Sequence, residues 1–104
     1  MGQYRHHVFV CTSGKTCPRQ GSIDVHAAMK KAVKESGLKH TVRVNHAGCM
    51  NQCGHGPMVV VYPADVWYAR VTPEGGRRIV AEHLAGGRPV ERYRYYAPPG
   101  DNKL

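Results

Sequence analysis

Apolar positions along the chain change rhythm several times, and each change marks an expected element. His7-Val8-Phe9-Val10 predicts a first strand with Cys11 at its exit. Residues 12–21 are polar and rich in turn formers, which predicts a loop, and Ser22 is the expected N-cap of the next segment. Val25, Ala28, Met29, Ala32 and Val33 recur at helical spacing, opposite Lys30, Lys31, Lys34 and Glu35. Gly37 supplies the stop. Thr41-Val42-Arg43-Val44 alternates like a second strand, and residues 58–62 are apolar throughout, like a strand covered on both faces. Pro63-Ala64-Asp65 turns that run into residues 66–71, forming a hairpin. Thr72-Pro73-Glu74 then supplies a cap, a first-turn proline and a first-turn acid for a last helix. Its stripe is Ile79, Val80 and Leu84; Gly75-Gly76 weakens its start and Gly86-Gly87 ends it.

Strand, helix, strand, hairpin and helix in that order predict an α/β fold of the thioredoxin kind. The sheet is small, mixed and four-stranded, with a right-handed crossover joining a parallel pair. The 104 residues read as a single domain, with 91–104 a tyrosine- and proline-bearing tail of no clear period. Trp67 and Tyr68 are neighbours on a strand, so they face opposite sides. One of them then points outward beside Tyr62, which predicts a two-fold homodimer through residues 58–71.

Charge adds a question about partners. Fifteen basic against seven acidic residues give +8 with the seven histidines neutral. Nucleic acid, an acidic protein or an anionic cofactor would each suit that balance. Along the sequence the basic residues are spread over several elements, as on a solvated surface. No leader-like segment or span of ~20 apolar residues is visible, so a cytoplasmic location is expected, with no membrane contact.

The four cysteines carry the chemistry. Cys11 and Cys17 form Cys-x5-Cys, while Cys49 and Cys53 form Cys-x3-Cys in a glycine-rich loop with Gly48, Gly54, Gly56 and Pro57. Four thiols in a cytosolic chain favour a metal site over disulfides. A disulfide exchanger usually needs Cys-x-x-Cys at a helix start, and neither pair has that spacing. A zinc site of four thiolates remains open, as in a basic module that binds nucleic acid. So does an iron–sulfur cluster, which takes ligands from several loops and backbone N–H bonds to sulfur, here around Gly14, Gly48 and Gly54. Cys11 leaves one strand of the expected parallel pair and Cys49 and Cys53 follow the other, so both exits share one sheet edge. His46 and His55 flank the central cysteines and are candidates to tune the site; His6, His7, His26, His40 and His83 are scattered. No paired carboxylates or Ser/His/Asp set stand out, so no enzyme is expected.

The motifs Val8-Phe9-Val10-Cys11-Thr12, Gly48-Cys49-Met50-Asn51-Gln52-Cys53-Gly54, Gly56-Pro57, Val59-Val60-Val61-Tyr62-Pro63 and Val66-Trp67-Tyr68 occur together. In them the chain resembles the thioredoxin-like 2Fe–2S ferredoxins, the Shethna-type proteins, over about residues 5–90. The gap between Cys11 and Cys17 is shorter than family members often carry. The resemblance implies one 2Fe–2S cluster held by Cys11, Cys17, Cys49 and Cys53, one-electron transfer, and a homodimer. Partners would then be redox proteins presenting an acidic docking face. A cluster-based regulatory sensor is a third reading.

Overall fold

The computed structural model describes residues 4–11, 21–47 and 56–96. Its strands are β1 (His6–Cys11), β2 (Val42–Ala47), β3 (Val59–Tyr62) and β4 (Val66–Tyr68). They form one sheet in the order β2-β1-β3-β4, with β1 parallel to β2 and the other neighbours antiparallel. This is the expected mixed four-stranded α/β sheet. The helix α1 (Ser22–Glu35) makes the crossover from β1 to β2. After β4 comes α2 (Pro73–Arg78), continued without a break by a wider π-helical segment, Ile79–Leu84.

Helix boundaries follow local chemistry, with one correction. Ser22 is the N-cap expected from sequence, but Gly21 takes that place with a left-handed φ of 89°, and its carbonyl accepts the first helical bond from Val25 at 3.1 Å. Ser22 is instead the first helical residue, fully buried under the core. Only glycine enters that left-handed turn cheaply, so the backbone sets the start here, not a side-chain oxygen. At the other end Gly37 has φ 73°, its N–H bonds to Lys34, and Leu38 N–H bonds to Val33. That double bond pattern closes the last turn as a Schellman motif. Thr72 caps α2 as expected, its hydroxyl accepting from Gly75 N–H at 3.0 Å.

One core gathers Val8 and Val10 from β1, Val25, Met29 and Val33 from α1, and Ile79, Val80 and Leu84 from the last helix. Both helices therefore lie on the same side of the sheet. Gly75 and Gly76, expected to weaken α2, are buried contact points. A Cβ on Gly76 would stand 2.7 Å from Met29 Cγ, and one on Gly75 2.7 Å from Tyr93 Cζ. Their missing side chains let α2 approach α1 and the tail closely.

The opposite sheet face carries the other parity of each strand. Phe9, Val60 and Trp67 sit in one cross-strand row, and Tyr62 lies opposite His7. Among the described residues no helix covers this face. Tyr68, by contrast, points into the core and is fully buried, so the two neighbouring aromatics do face opposite ways. The tail docks along β4: Ala69 N–H bonds to the Tyr93 carbonyl at 2.9 Å, and Tyr95 N–H to that of Trp67 at 2.8 Å. Arg94 pairs with Tyr68 in an antiparallel bridge.

Candidate metal centre

Parallel pairing of β1 and β2 puts the ends of both strands at one edge of the sheet. Cys11 closes β1 directly opposite Ala47, which closes β2. Because β3 runs the other way, it begins at this same edge, with Val59 opposite Val10. Cys11 N–H donates to the carbonyl of Met58 at 3.1 Å, tying the two segments together. The segments carrying the other three cysteines therefore start or finish here: residues 12–20 follow Cys11, and residues 48–55 join Ala47 to Gly56 in the sequence. Cys17, Cys49, Cys53 and His55 lie outside the described residues, as do Gly14, Gly48 and Gly54.

Cys11 is 2% exposed and sits on the face away from the helices. It belongs to an apolar cluster with Met58 and Ala69, against which Trp67 and Tyr95 pack. These neighbours shield the thiol side of the edge from water. Tyr95 is not legible from sequence as part of this site, because its position depends on the tail pairing with β4. Met58 gives a weak signal as the residue just before an apolar strand.

His46, a candidate tuning residue, is exposed one position before Ala47. Its ring meets His26 edge to face, with centroids 5.6 Å apart. The pKa of His26 is lowered by burial first, then by the charges of Lys30 and His46; a hydrogen bond to the Val44 backbone opposes them. The sequence order gives no hint that these two histidines meet.

A second buried polar group lies in the core. Val90 N–H donates to the Tyr68 hydroxyl at 3.1 Å, and that hydroxyl lies 2.7 Å from His83 Nδ1. Among the described residues His83 Nδ1 is the acceptor within reach of the tyrosine proton, and that direction goes with a neutral imidazole carrying its own proton on Nε2. Burial, then the nearby His6 and Arg94, lower the pKa of His83 from its ordinary 6.5. Burial likewise raises that of Tyr68. A histidine with a depressed folded-state pKa binds fewer protons than the unfolded chain does below pH 6.5. His6 and His26 shift the same way. Stability is therefore full above pH 6.5 and falls as pH drops below that value, levelling off beneath the folded pKa values. Urea midpoints measured from pH 8 to pH 5 should decline on that acid side; a flat profile would contradict the assignment.

Comparison with known proteins decides the family. Residues 2–84 match the family model of the thioredoxin-like [2Fe-2S] ferredoxins. The chain belongs to the thioredoxin-like [2Fe-2S] ferredoxin family. A 2Fe-2S ferredoxin of Aquifex aeolicus is 43% identical over 100 residues, spanning 88% of this chain and 89% of the relative. One from Clostridium pasteurianum is 38% identical over 95 residues, 85% of this chain and 93% of that one. A crystal structure of the Aquifex thioredoxin-like [2Fe-2S] ferredoxin superposes with a TM-score of 0.84 at 38% identity, covering 92% of this chain and all of that one. A second structure of that ferredoxin reaches 0.86 at 39% identity, covering 95% and 98%.

This ferredoxin is accordingly a small iron–sulfur electron-transfer protein with a 2Fe–2S cofactor, a carrier and not an enzyme. The zinc and sensor readings of its cysteines are not favoured. The described part of the edge fits such a group. Cys11 offers a buried sulfur donor on an apolar wall, next to the two segments that carry the remaining thiols. Among the described residues no three His, Cys, Asp or Glu side chains gather as metal ligands elsewhere. No helix among them is long and apolar enough to cross a membrane.

Proposed function

We propose that this ferredoxin holds one 2Fe–2S cluster per chain through Cys11, Cys17, Cys49 and Cys53 at the β1–β2–β3 edge. The observation that carries the reading is the place of Cys11: it ends β1 opposite Ala47, two positions before Cys49. Cys53 precedes the described Gly56 by three positions, so both segments reach the edge from close anchors. Solved variants of the Aquifex ferredoxin replace, one at a time, two cysteines four positions apart, the spacing of Cys49 and Cys53. When bound, the cluster supplies a one-electron couple. Cys11 and its apolar neighbours Met58 and Trp67 then limit water at the edge, one of the levers on potential. Purified protein should be red-brown, with iron and acid-labile sulfide each at about two per chain. A colourless protein with stoichiometric zinc would overturn the proposal.

The whole chain is read as one cytoplasmic domain whose residues 91–104 form a tail. It works as a two-fold dimer and meets redox proteins through acidic faces on them. The bare sheet side supports the dimer: Phe9 and Trp67 are half-buried there, and Tyr62 is 39% exposed. Because the tail already pairs with β4, the contact uses the face of the hairpin and not its edge. Sedimentation equilibrium at micromolar concentration should give twice the chain mass. Tyr62→Glu, on the same face but at the far end of β3 from Cys11, should give a monomer with an unchanged visible spectrum, whereas a monomeric wild type would remove the dimer.

A further inference from the structure

Basic residues that are spread along the sequence come together in space on one side of the fold. The first 47 residues hold eight Lys and Arg against only Asp24 and Glu35, a net +6 of the chain's +8. Five of those eight line one groove of about 680 Å³ between the outer side of α1 and the start of β2: Lys30, Lys31, Lys34, Lys39 and Arg43. His40 and Tyr4 complete its rim, and no Asp or Glu lines it. Its floor is apolar, formed by Val33, Val42 and Val44, none more than 5% exposed. Arg43 lines it from β2, but its guanidinium is turned to the sheet face away from the helices, where its Nε donates to Asn45 Oδ1 at 2.6 Å, so the lysines supply the charge of the groove. Among the described residues none of the five cations makes an ion pair; the pairs that do form, Arg78–Glu82 and Arg94–Glu91, belong to other elements.

We infer that this groove docks an acidic, partly apolar segment of a redox partner. The inference deepens the carrier reading and rests on it. The groove volume falls in the range of sites that enclose a few residues or a small ligand. Charge complementarity gives the sign of the occupant, and the aliphatic stems of the lysines lining the groove suit apolar side chains among its acids. Nucleic acid fits less well, since single strands favour aromatic stacking platforms and this groove offers only Tyr4. Strand addition along β2 is not the mode either. Val42 N–H is already bonded to the Leu38 carbonyl at 2.9 Å, and the Val44 backbone is engaged by His26.

The groove lies at the start of β2, whereas the metal edge lies at its end. The five residue steps from Val42 to Ala47 span about 16 Å. Docking there holds the partner beside the carrier without covering the edge through which electrons pass. Changing the groove should then alter association and leave the cluster untouched.

The test uses the cluster-loaded protein and a fluorescein-labelled hexapeptide of alternating glutamate and leucine, followed by anisotropy at low salt. Combined Lys30→Glu, Lys31→Glu and Lys34→Glu should weaken binding about tenfold or more, because each substitution reverses an exposed charge facing the ligand. Lys39→Glu, on the other wall, should also weaken it. Arg77→Glu with Arg88→Glu, both exposed on other elements, should change it no more than about twofold. The visible spectrum should stay that of the wild type in all three. Equal binding by the first variant, or an equal loss in the Arg77/Arg88 control, would overturn the groove. So would tighter binding of a ten-nucleotide oligothymidylate than of the peptide at the same salt. Loss of the cluster spectrum from the wild type, with groove-dependent peptide binding kept, would count against the carrier reading and not against the groove.

Discussion

Replacing Cys17 with serine should leave a folded chain whose visible bands move to shorter wavelength and whose cluster decays about tenfold or more faster. The direction follows from the donor. A serine oxygen is a harder ligand than thiolate, so the charge-transfer bands shift to higher energy and the set binds iron less well. Folding should survive, because the core is built from β1, α1, β2, β3 and the last helix, and Cys17 belongs to none of them. Reach is no obstacle. Six steps of extended chain from Cys11 cover about 20 Å, far beyond the spacing of thiolates around one cluster. The chain contains no fifth cysteine to take its place. An unchanged spectrum and an unchanged decay rate in Cys17→Ser would show that the fourth ligand is another residue.

Tyr68→Phe should cost about 2–4 kcal/mol although it deletes a single oxygen. That oxygen is the shared partner of two buried groups, Val90 N–H at 3.1 Å and His83 Nδ1 at 2.7 Å. Removing it leaves a donor and an acceptor unpaired where water does not enter, and each such loss costs about 1–3 kcal/mol. The ring remains, so the packing contribution of a fully buried aromatic is kept. The acid-side decline in stability should change shape too, since His83 loses the proton donor that favours its neutral form. Urea denaturation at pH 7.5 should show a lower midpoint with an unchanged slope. A midpoint within error of the wild type would mean that the hydroxyl does not bridge these groups.

The frame of this molecule is readable from sequence because it rests on local signals. The helical stripe of α1, the glycine stop at Gly37, the Thr72-Pro73 cap and the valine run of β3 each act within a few residues. Parallel pairing of β1 with β2 then follows from crossover geometry, and the shared edge follows from the pairing. What escapes depends on contacts across the chain. His83 looks incidental in the sequence because its partner lies 15 residues away, and the Val90–Tyr68 bond spans 22. Gly75-Gly76 reads as a weakness because a missing side chain is informative only once Met29 and Tyr93 are seen against it. Lys39 looks unrelated to the α1 lysines until the turn after Gly37 brings it to their groove. Ser22 reads as a cap because its type suits that role; burial under the core claims it instead.

The tail strand has a consequence for self-association. A sheet that grows by adding copies edge to edge needs two receptive edges on every copy, one to join and one to offer. Here residues 93–95 occupy the β4 side through two backbone hydrogen bonds. On the β2 side the Val42 and Val44 backbone is engaged as well, so among the described residues edge-to-edge growth ends at a pair at most while residues 93–95 stay in place.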